Sequence, residues 1–148
     1  MSIEVKNLSW KVDNKSIIEN ISLTINKGEV ITVLGPNGAG KSSLLRLISG
    51  DLKGTEGEII FDGSPLEEIS IQDRSFIRSV MSQSQEIVYD FSVKDIIEMG
   101  WIERGISQYS GDFEEAVSSI SKDCSVENLL GQSFNTLSGG EKRRVHFA

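Results

Sequence analysis

Apolar and polar positions alternate at the start of the chain. Ile3 and Val5 are interleaved with Glu4 and Lys6, and later Ile21, Leu23 and Ile25 are interleaved with Ser22 and Thr24. A period of two puts the apolar side chains on one face of a half-buried strand, and Asp13-Asn14-Lys15 supplies turn residues between the two stretches. Val30-Ile31-Thr32-Val33-Leu34 is nearly unbroken apolar sequence, the pattern of a strand covered on both faces in a parallel sheet. From Lys41 to Ser49 the period changes: Leu44, Leu45, Leu47 and Ile48 recur at helical spacing, and Gly50 stands where a helix C-cap glycine belongs.

Further along, Gly57 to Gly63 encloses a short strand, Ile59-Ile60-Phe61, and Val80-Met81-Ser82 is a weaker strand candidate. Ser92-Val93-Lys94-Asp95 matches a capping box ahead of Ile96, Ile97 and Met99, so a helix is predicted to start at Ser92. Phe113, Ala116, Val117, Ile120 and Cys124 share one face of a second helix, a stripe that reads as core packing, with Cys124 as a small buried hydrophobe. Gly100 to Asp112 between them reads as a surface loop.

Composition narrows the class. The chain has 148 residues, the length of one domain, with 38% hydrophobic and 25% charged residues, a mixture able to bury a core. The net charge of −7 argues against a nucleic-acid-coating protein, so no nucleic-acid partner is expected. Cys124 and His146 are the single cysteine and histidine, which excludes an internal disulfide and a cysteine/histidine metal site and fits a reducing, cytosolic compartment. Met1-Ser2-Ile3-Glu4-Val5-Lys6 lacks the apolar stretch of a leader, and no apolar run approaches the length of a membrane span. Any membrane role is expected to come through a partner.

The candidate chemistry lies between the apolar strand and the first helix. Gly35-Pro36-Asn37-Gly38-Ala39-Gly40-Lys41-Ser42 matches G-x-x-x-x-G-K-[ST] throughout, with the strand–loop–helix order the motif requires. Glycines let successive N–H groups converge on phosphate oxygens, and the helix behind adds its positive end. Lys41 is placed to reach the β- and γ-phosphates, and the Ser42 hydroxyl to ligate Mg²⁺. A chance match in a chain this long is expected on the order of one time in a hundred or less.

A second motif starts at Leu137. Leu137-Ser138-Gly139-Gly140-Glu141 precedes Lys142-Arg143-Arg144-Val145-His146-Phe147-Ala148, which can open a helix, and Ser138 with Glu141 is again a capping box. By itself this reads as an ordinary helix cap; beside a phosphate loop it reads as a second place for an anionic oxygen.

The two motifs together resemble the nucleotide-binding domain of ATP-binding-cassette proteins over the whole chain, residues 1–148. Gly35 to Ser42 matches the Walker A loop and Leu137 to Glu141 the signature sequence. The resemblance implies an α/β phosphate-loop NTPase fold: an N-terminal antiparallel β subdomain, a partial parallel-sheet core, and a helical subdomain at about 92–136. ATP and Mg²⁺ are implied as cofactors. Ser43 joins the nucleotide-binding residues Gly35, Pro36, Asn37, Gly38, Ala39, Gly40, Lys41 and Ser42. Gln83 occupies the position of the Q-loop glutamine, which meets Mg²⁺ and senses the membrane partner, and Trp10 that of the adenine-stacking aromatic. Ser138, Gly139, Gly140 and Glu141 are implied to close over ATP held by a second copy, paired head to tail. The family's other partners are integral-membrane permease subunits and, indirectly, a substrate-binding protein, with the ATPase lying peripherally on the cytoplasmic face of the membrane.

Within the family, Ser82 to Gly100 looks like importers for iron chelates, and Leu66-Glu67-Glu68-Ile69-Ser70 with Phe134-Asn135-Thr136-Leu137 looks most like hemin importers; siderophore and cobalamin importers are close relatives. The family pattern continues past the signature helix to a Walker B aspartate, a water-polarising glutamate and a switch histidine. Here the chain stops at Ala148, so it is read as a C-terminally incomplete fragment, expected to be inactive alone. Rival readings are a cassette ATPase acting on DNA or ribosomes, and a truncated chain that binds nucleotide without turnover.

Overall fold

The computed structural model describes residues 2–81, 87–102 and 111–148, in two compact units, Met1–Val80 and Met81–Ala148. The first is built on a four-stranded antiparallel sheet of order β2-β1-β3-β4: β1 (Ile3–Val12), β2 (Lys15–Ile25), β3 (Glu56–Phe61) and β4 (Ser64–Pro65). The two hairpins turn where short polar residues tolerate left-handed backbone, at Asp13-Asn14 (φ 47° and 64°) and at Asp62-Gly63 (φ 45° and 85°). The alternation at Ile3–Lys6 marks only the start of β1, which continues through Leu8 and Trp10 to Val12.

Helix α1 (Lys41–Ile48) lies against this sheet. Leu44 and Leu47 are buried with Val5 and Leu8 of β1 and Ile18 of β2, and Trp10, Ile17 and Leu23 pack on the same cluster. Gly50, at φ 78°, ends the helix as expected. Two irregularities shape the sheet. Asn7 and Asn20 both take positive φ and are joined by a 2.9 Å amide–amide hydrogen bond, while Gly57, at φ 86°, sits where the β1–β3 register shifts. A Cβ on Gly57 would lie 2.5 Å from the carbonyl oxygens of Lys6 and Asn7.

Helix α2 (Ile71–Ile77), which the sequence pattern does not predict, is capped by Ser70, whose Oγ accepts from the Asp73 N–H. Arg74 on this helix donates to the carbonyls of Leu66, Ile69 and Gly50 at 2.7, 2.9 and 3.3 Å, tying α2 to the end of α1.

Val30 to Leu34 departs from its expected state. It forms no strand, and Val30 and Leu34 are 92% and 85% exposed. A strand covered on both faces needs neighbours for its backbone groups, and none of the described strands pairs with it. Val80 and Met81 are likewise irregular and half exposed, and Ser82 lies outside the described residues.

The second unit is helical. Helix α3 (Val93–Ile102) starts at Ser92, as the capping box predicts: Ser92 Oγ accepts from the Asp95 N–H, and the Asp95 carboxylate accepts from the Ser92 N–H at 2.8 Å. Helix α4 (Gly111–Asp123) buries Phe113 and Val117, with Cys124 just beyond it in the same core beside Val93, Ile97, Val126 and Phe134. Both ends of the loop expected at Gly100–Asp112 are helical, since α3 runs to Ile102 and α4 begins at Gly111, and 103–110 lie outside the described residues. A single glycine in a helix costs about 1 kcal/mol, too little to stop it at Gly100. Helix α5 (Gly139–Phe147) closes the unit, with Val145 buried. Among the described residues no helix is long and apolar enough to cross a membrane.

Gly57→Ala should destabilise the β unit more than Gly63→Ala. Both substitutions carry the left-handed penalty of about 1 to 2 kcal/mol. Gly63 faces open space, whereas the Gly57 Cβ meets two carbonyl oxygens. Urea unfolding followed by Trp10 fluorescence in a Trp101→Phe background measures the difference; equal losses would mean that the β1–β3 irregularity relaxes freely.

Candidate functional site

The phosphate loop is held by its far end. Gly40, the N-cap of α1, has φ 84° and ψ 5°, and a Cβ there would lie 2.9 Å from both Ile17 O and Ile18 Cδ1. The third motif glycine is thus required twice, for its left-handed backbone and for its close approach to β2. Because Gly40 has no side chain to cap the helix and the first turn of α1 carries no acidic residue, the leading N–H groups of α1 stay available. Gly35 to Ala39 are exposed, and the loop closes on itself through a 3.3 Å bond from the Ala39 N–H to Pro36 O. The ammonium group of Lys41 folds over it, donating to Gly35 O at 2.8 Å and Pro36 O at 2.7 Å. A cation, open N–H groups and a helix N-terminus therefore converge, with no acidic residue in the first turn of α1, which suits a multiply charged anion.

Ser42 and Ser43 occupy the first turn of α1, Ser42 exposed and Ser43 half-buried. Among the described residues there is no cluster of three or more His, Cys, Asp and Glu able to hold a metal. A magnesium ion would fit here as one carried in on phosphate oxygens, with the Ser42 hydroxyl as a protein ligand. Trp10 stands opposite Ile18 in the β1–β2 ladder and is half-buried; Ile18 is the residue that Gly40 approaches, so Trp10 belongs to the sheet region beneath the loop. Gln83 lies outside the described residues. The first unit also has a groove of about 640 Å³ lined by Leu8, Leu47, Leu52, Ile59, Leu66 and Arg74, among others, and none of Gly35–Ser43 contributes to it.

The signature turn is built separately in the helical unit. Ser138 caps α5 reciprocally: Glu141 N–H donates to Ser138 Oγ at 3.4 Å, while the Glu141 carboxylate accepts from the Ser138 N–H at 2.8 Å and hydroxyl at 2.6 Å. These bonds hold the Glu141 carboxyl below the usual carboxylate range, the hydroxyl bond contributing most; the Ser92 hydroxyl and N–H do the same for Asp95. Ser138, Gly139 and Gly140 are exposed in sequence, above buried Leu137 and Phe134. On α5, His146 meets the Phe134 ring edge-on at 4.9 Å, with Lys142 Nζ 5.5 Å from the same ring. Burial lowers the His146 pKa, and its Nε2 has no hydrogen-bond partner.

The sequence motifs located both the phosphate loop and the signature turn. They missed Asp90, Ser133 and Asn135, which pin the approach to the signature, because those contacts pair residues more than 40 positions apart.

A loop of this geometry at the head of a helix is the arrangement of the phosphate-loop α/β class. The chain belongs to the ABC transporter family, whose family model matches residues 18–148. It is 36% identical over 146 residues to the hemin import ATP-binding protein HmuV of Escherichia coli O157:H7, covering 99% of this chain and 56% of that protein. To the HmuV of Nitrobacter winogradskyi it is 34% identical over 146 residues, covering 99% and 53%. The chain thus spans about half the length of the curated relatives it matches. Among solved structures, MJ1267, an ATP-binding cassette of an ABC transporter, superimposes with a TM-score of 0.85 at 22% identity, over 98% of this chain and 62% of that one. The cbiO1 protein of Clostridium perfringens, part of the ABC transporter complex cbiONQ, gives 0.78 at 23% identity over 98% and 59%. These likenesses establish the ABC ATPase-domain fold.

Lys41→Ala should weaken binding of a fluorescent ATP analogue by about 10- to 100-fold, the loss of a charge-assisted contact to phosphate, without changing the circular dichroism. Unchanged affinity would separate this lysine from the phosphates. His146 generates a pH prediction. Its folded pKa lies below the unfolded value of about 6.5, so the unfolded chain binds more protons in that interval, and stability of the helical unit falls as pH drops from about 6.5 toward the folded value. Asp95 and Glu141 act lower: their contributions are full above the ordinary carboxylate values and are lost as pH falls through the depressed ones. Urea midpoints between pH 7.5 and 5 should decline in the native chain and stay flat in His146→Phe.

Proposed function

We propose that this chain binds Mg²⁺·ATP at Gly35–Ser43 and belongs to the ATP-binding subunit of an importer for hemin or a related iron chelate. The observation that carries the nucleotide reading is the exposed loop with Lys41 folded over it and Gly40 locked against β2. The importer reading is supported by the HmuV relatives at 34–36% identity.

In this reading each residue has a definite task. The loop N–H groups and the first turn of α1 bind phosphate oxygens, and Lys41 moves from Gly35 O and Pro36 O to the β- and γ-phosphates, neutralising charge where it accumulates during phosphoryl transfer. Ser42 and Gln83 would hold magnesium, which when bound would supply electrostatic stabilisation of the transferring phosphoryl group. Trp10 stacks on adenine. Ser138, Gly139 and Gly140 face the nucleotide of a second copy paired head to tail. Coupling to transport runs through permease subunits that hold the ATPase on the cytoplasmic face of the membrane, with a substrate-binding protein delivering the chelate to them.

ATP with Mg²⁺ should shift Trp10 emission in the Trp101→Phe chain, and Trp10→Ala should lower ATP affinity by about tenfold, the scale of one lost base–aromatic stack. An unchanged affinity would make Trp10 packing alone. For the cargo, disrupting the gene in its host should reduce hemin uptake, with recovery from a plasmid copy. Normal hemin uptake accompanied by loss of siderophore or cobalamin uptake would reassign the substrate.

A further inference from the structure

We propose that Asp90 and Ser133 form a clasp that positions the Ser138–Gly140 turn. Within the helical unit, Tyr89–Lys94 and Leu130–Asn135 lie alongside each other in antiparallel sense. Val93 N–H donates to Gln132 O at 3.0 Å, Lys94 N–H to Leu130 O at 3.1 Å and Phe134 N–H to Phe91 O at 2.9 Å, with an antiparallel bridge between Ser92 and Ser133. Two side chains fasten the open end: the Ser133 hydroxyl donates to the Asp90 carboxylate, and the Asn135 amide donates to Tyr89 O at 3.3 Å.

The next residue after Ser133 connects this strap to α5. Phe134 is 1% exposed, its ring bears on His146 and lies beneath Lys142, and its 3₁₀ turn through Thr136 leads into buried Leu137 and then the Ser138 cap. A rotation of the strap therefore carries Phe134, and Phe134 carries both the helix and the turn at its head. The capping box fixes the shape of that turn; the clasp fixes where α5 presents it. Asp90 and Ser133 are positioning residues, acting on the turn through Phe134. The functional weight of the inference rests on reading the turn as phosphate-facing, but its test does not involve nucleotide, so failure of one leaves the other standing.

The experiment is amide hydrogen exchange by NMR on the 148-residue chain. Asp90→Ala and Ser133→Ala should each speed exchange at Phe134, Leu137 and Lys142 by about tenfold, the scale of one lost hydrogen bond to a charged group. The amides of Cys124 and Val126, bonded to Ile120 O and Ser121 O, should keep their rates. Ser133→Thr should restore slow exchange, and the double alanine variant should be no faster than either single one, because both remove the same contact. If Asp90→Ala does not fold, Ser133→Ala carries the same test. Equal acceleration at Cys124 and Val126 would reduce the clasp to general stability, and an unchanged rate at Lys142 would show that α5 does not feel it; either result overturns the proposal.

Discussion

The contact between Gly40 and β2 is the constraint on which the geometry of the Gly35–Ser42 loop depends. A helix can present its N-terminus to phosphate only if something holds that end in place, and here the holding surface is the backbone and side chains of Ile17 and Ile18. One turn further on, Leu44 and Leu47 are buried against Val5, Leu8 and Ile18, so the helix is fixed along its length by the sheet that fixes its first residue. The loop itself can remain exposed because its two anchors, Gly40 and the Lys41 bonds to Gly35 and Pro36, lie at its ends.

The helical unit solves the same problem by different means. Its glycine turn is exposed. It is shaped locally by a carboxylate–hydroxyl cap and placed by a buried phenylalanine, Phe134, with α5 on one side and the strap from Tyr89 on the other. Both units thus expose a glycine-containing helix start above buried apolar side chains, one behind a preorganised loop and one behind a capped turn.

What was legible in the sequence was whatever is decided within a few residues. Ser92 with Asp95 and Ser138 with Glu141 announce two helix starts because both partners of each cap lie three positions apart. Asp13-Asn14 announces a hairpin because tolerance of positive φ is a property of those residue types. The phosphate loop was legible for the same reason, as a contiguous motif. The irregularities at Asn7, Asn20 and Gly57 were not, since each is set by the strand across from it, and the Asp90–Ser133 contact was invisible for the same cause at longer range. The misreading at Val30–Leu34, like that at Val80-Met81, took a run of apolar residues as evidence of a strand. The run records what the segment would bury, and a ladder also needs a neighbour.

That segment has a consequence for handling the protein. Val-Ile-Thr-Val-Leu is β-branched and aliphatic, free of charge and proline, and more than half exposed at Val30, Ile31 and Leu34. Five such residues, exposed and outside the described strands, are a template on which an identical stretch from another molecule can stack in register, as in the spine of a fibril. Glu29 on one flank and Gly35-Pro36 on the other are the residues that resist this, a charge that repels its own copy and a turn that breaks the ladder. Concentration and salt therefore act on this stretch of the chain, with Glu29 as its gatekeeper against deposition.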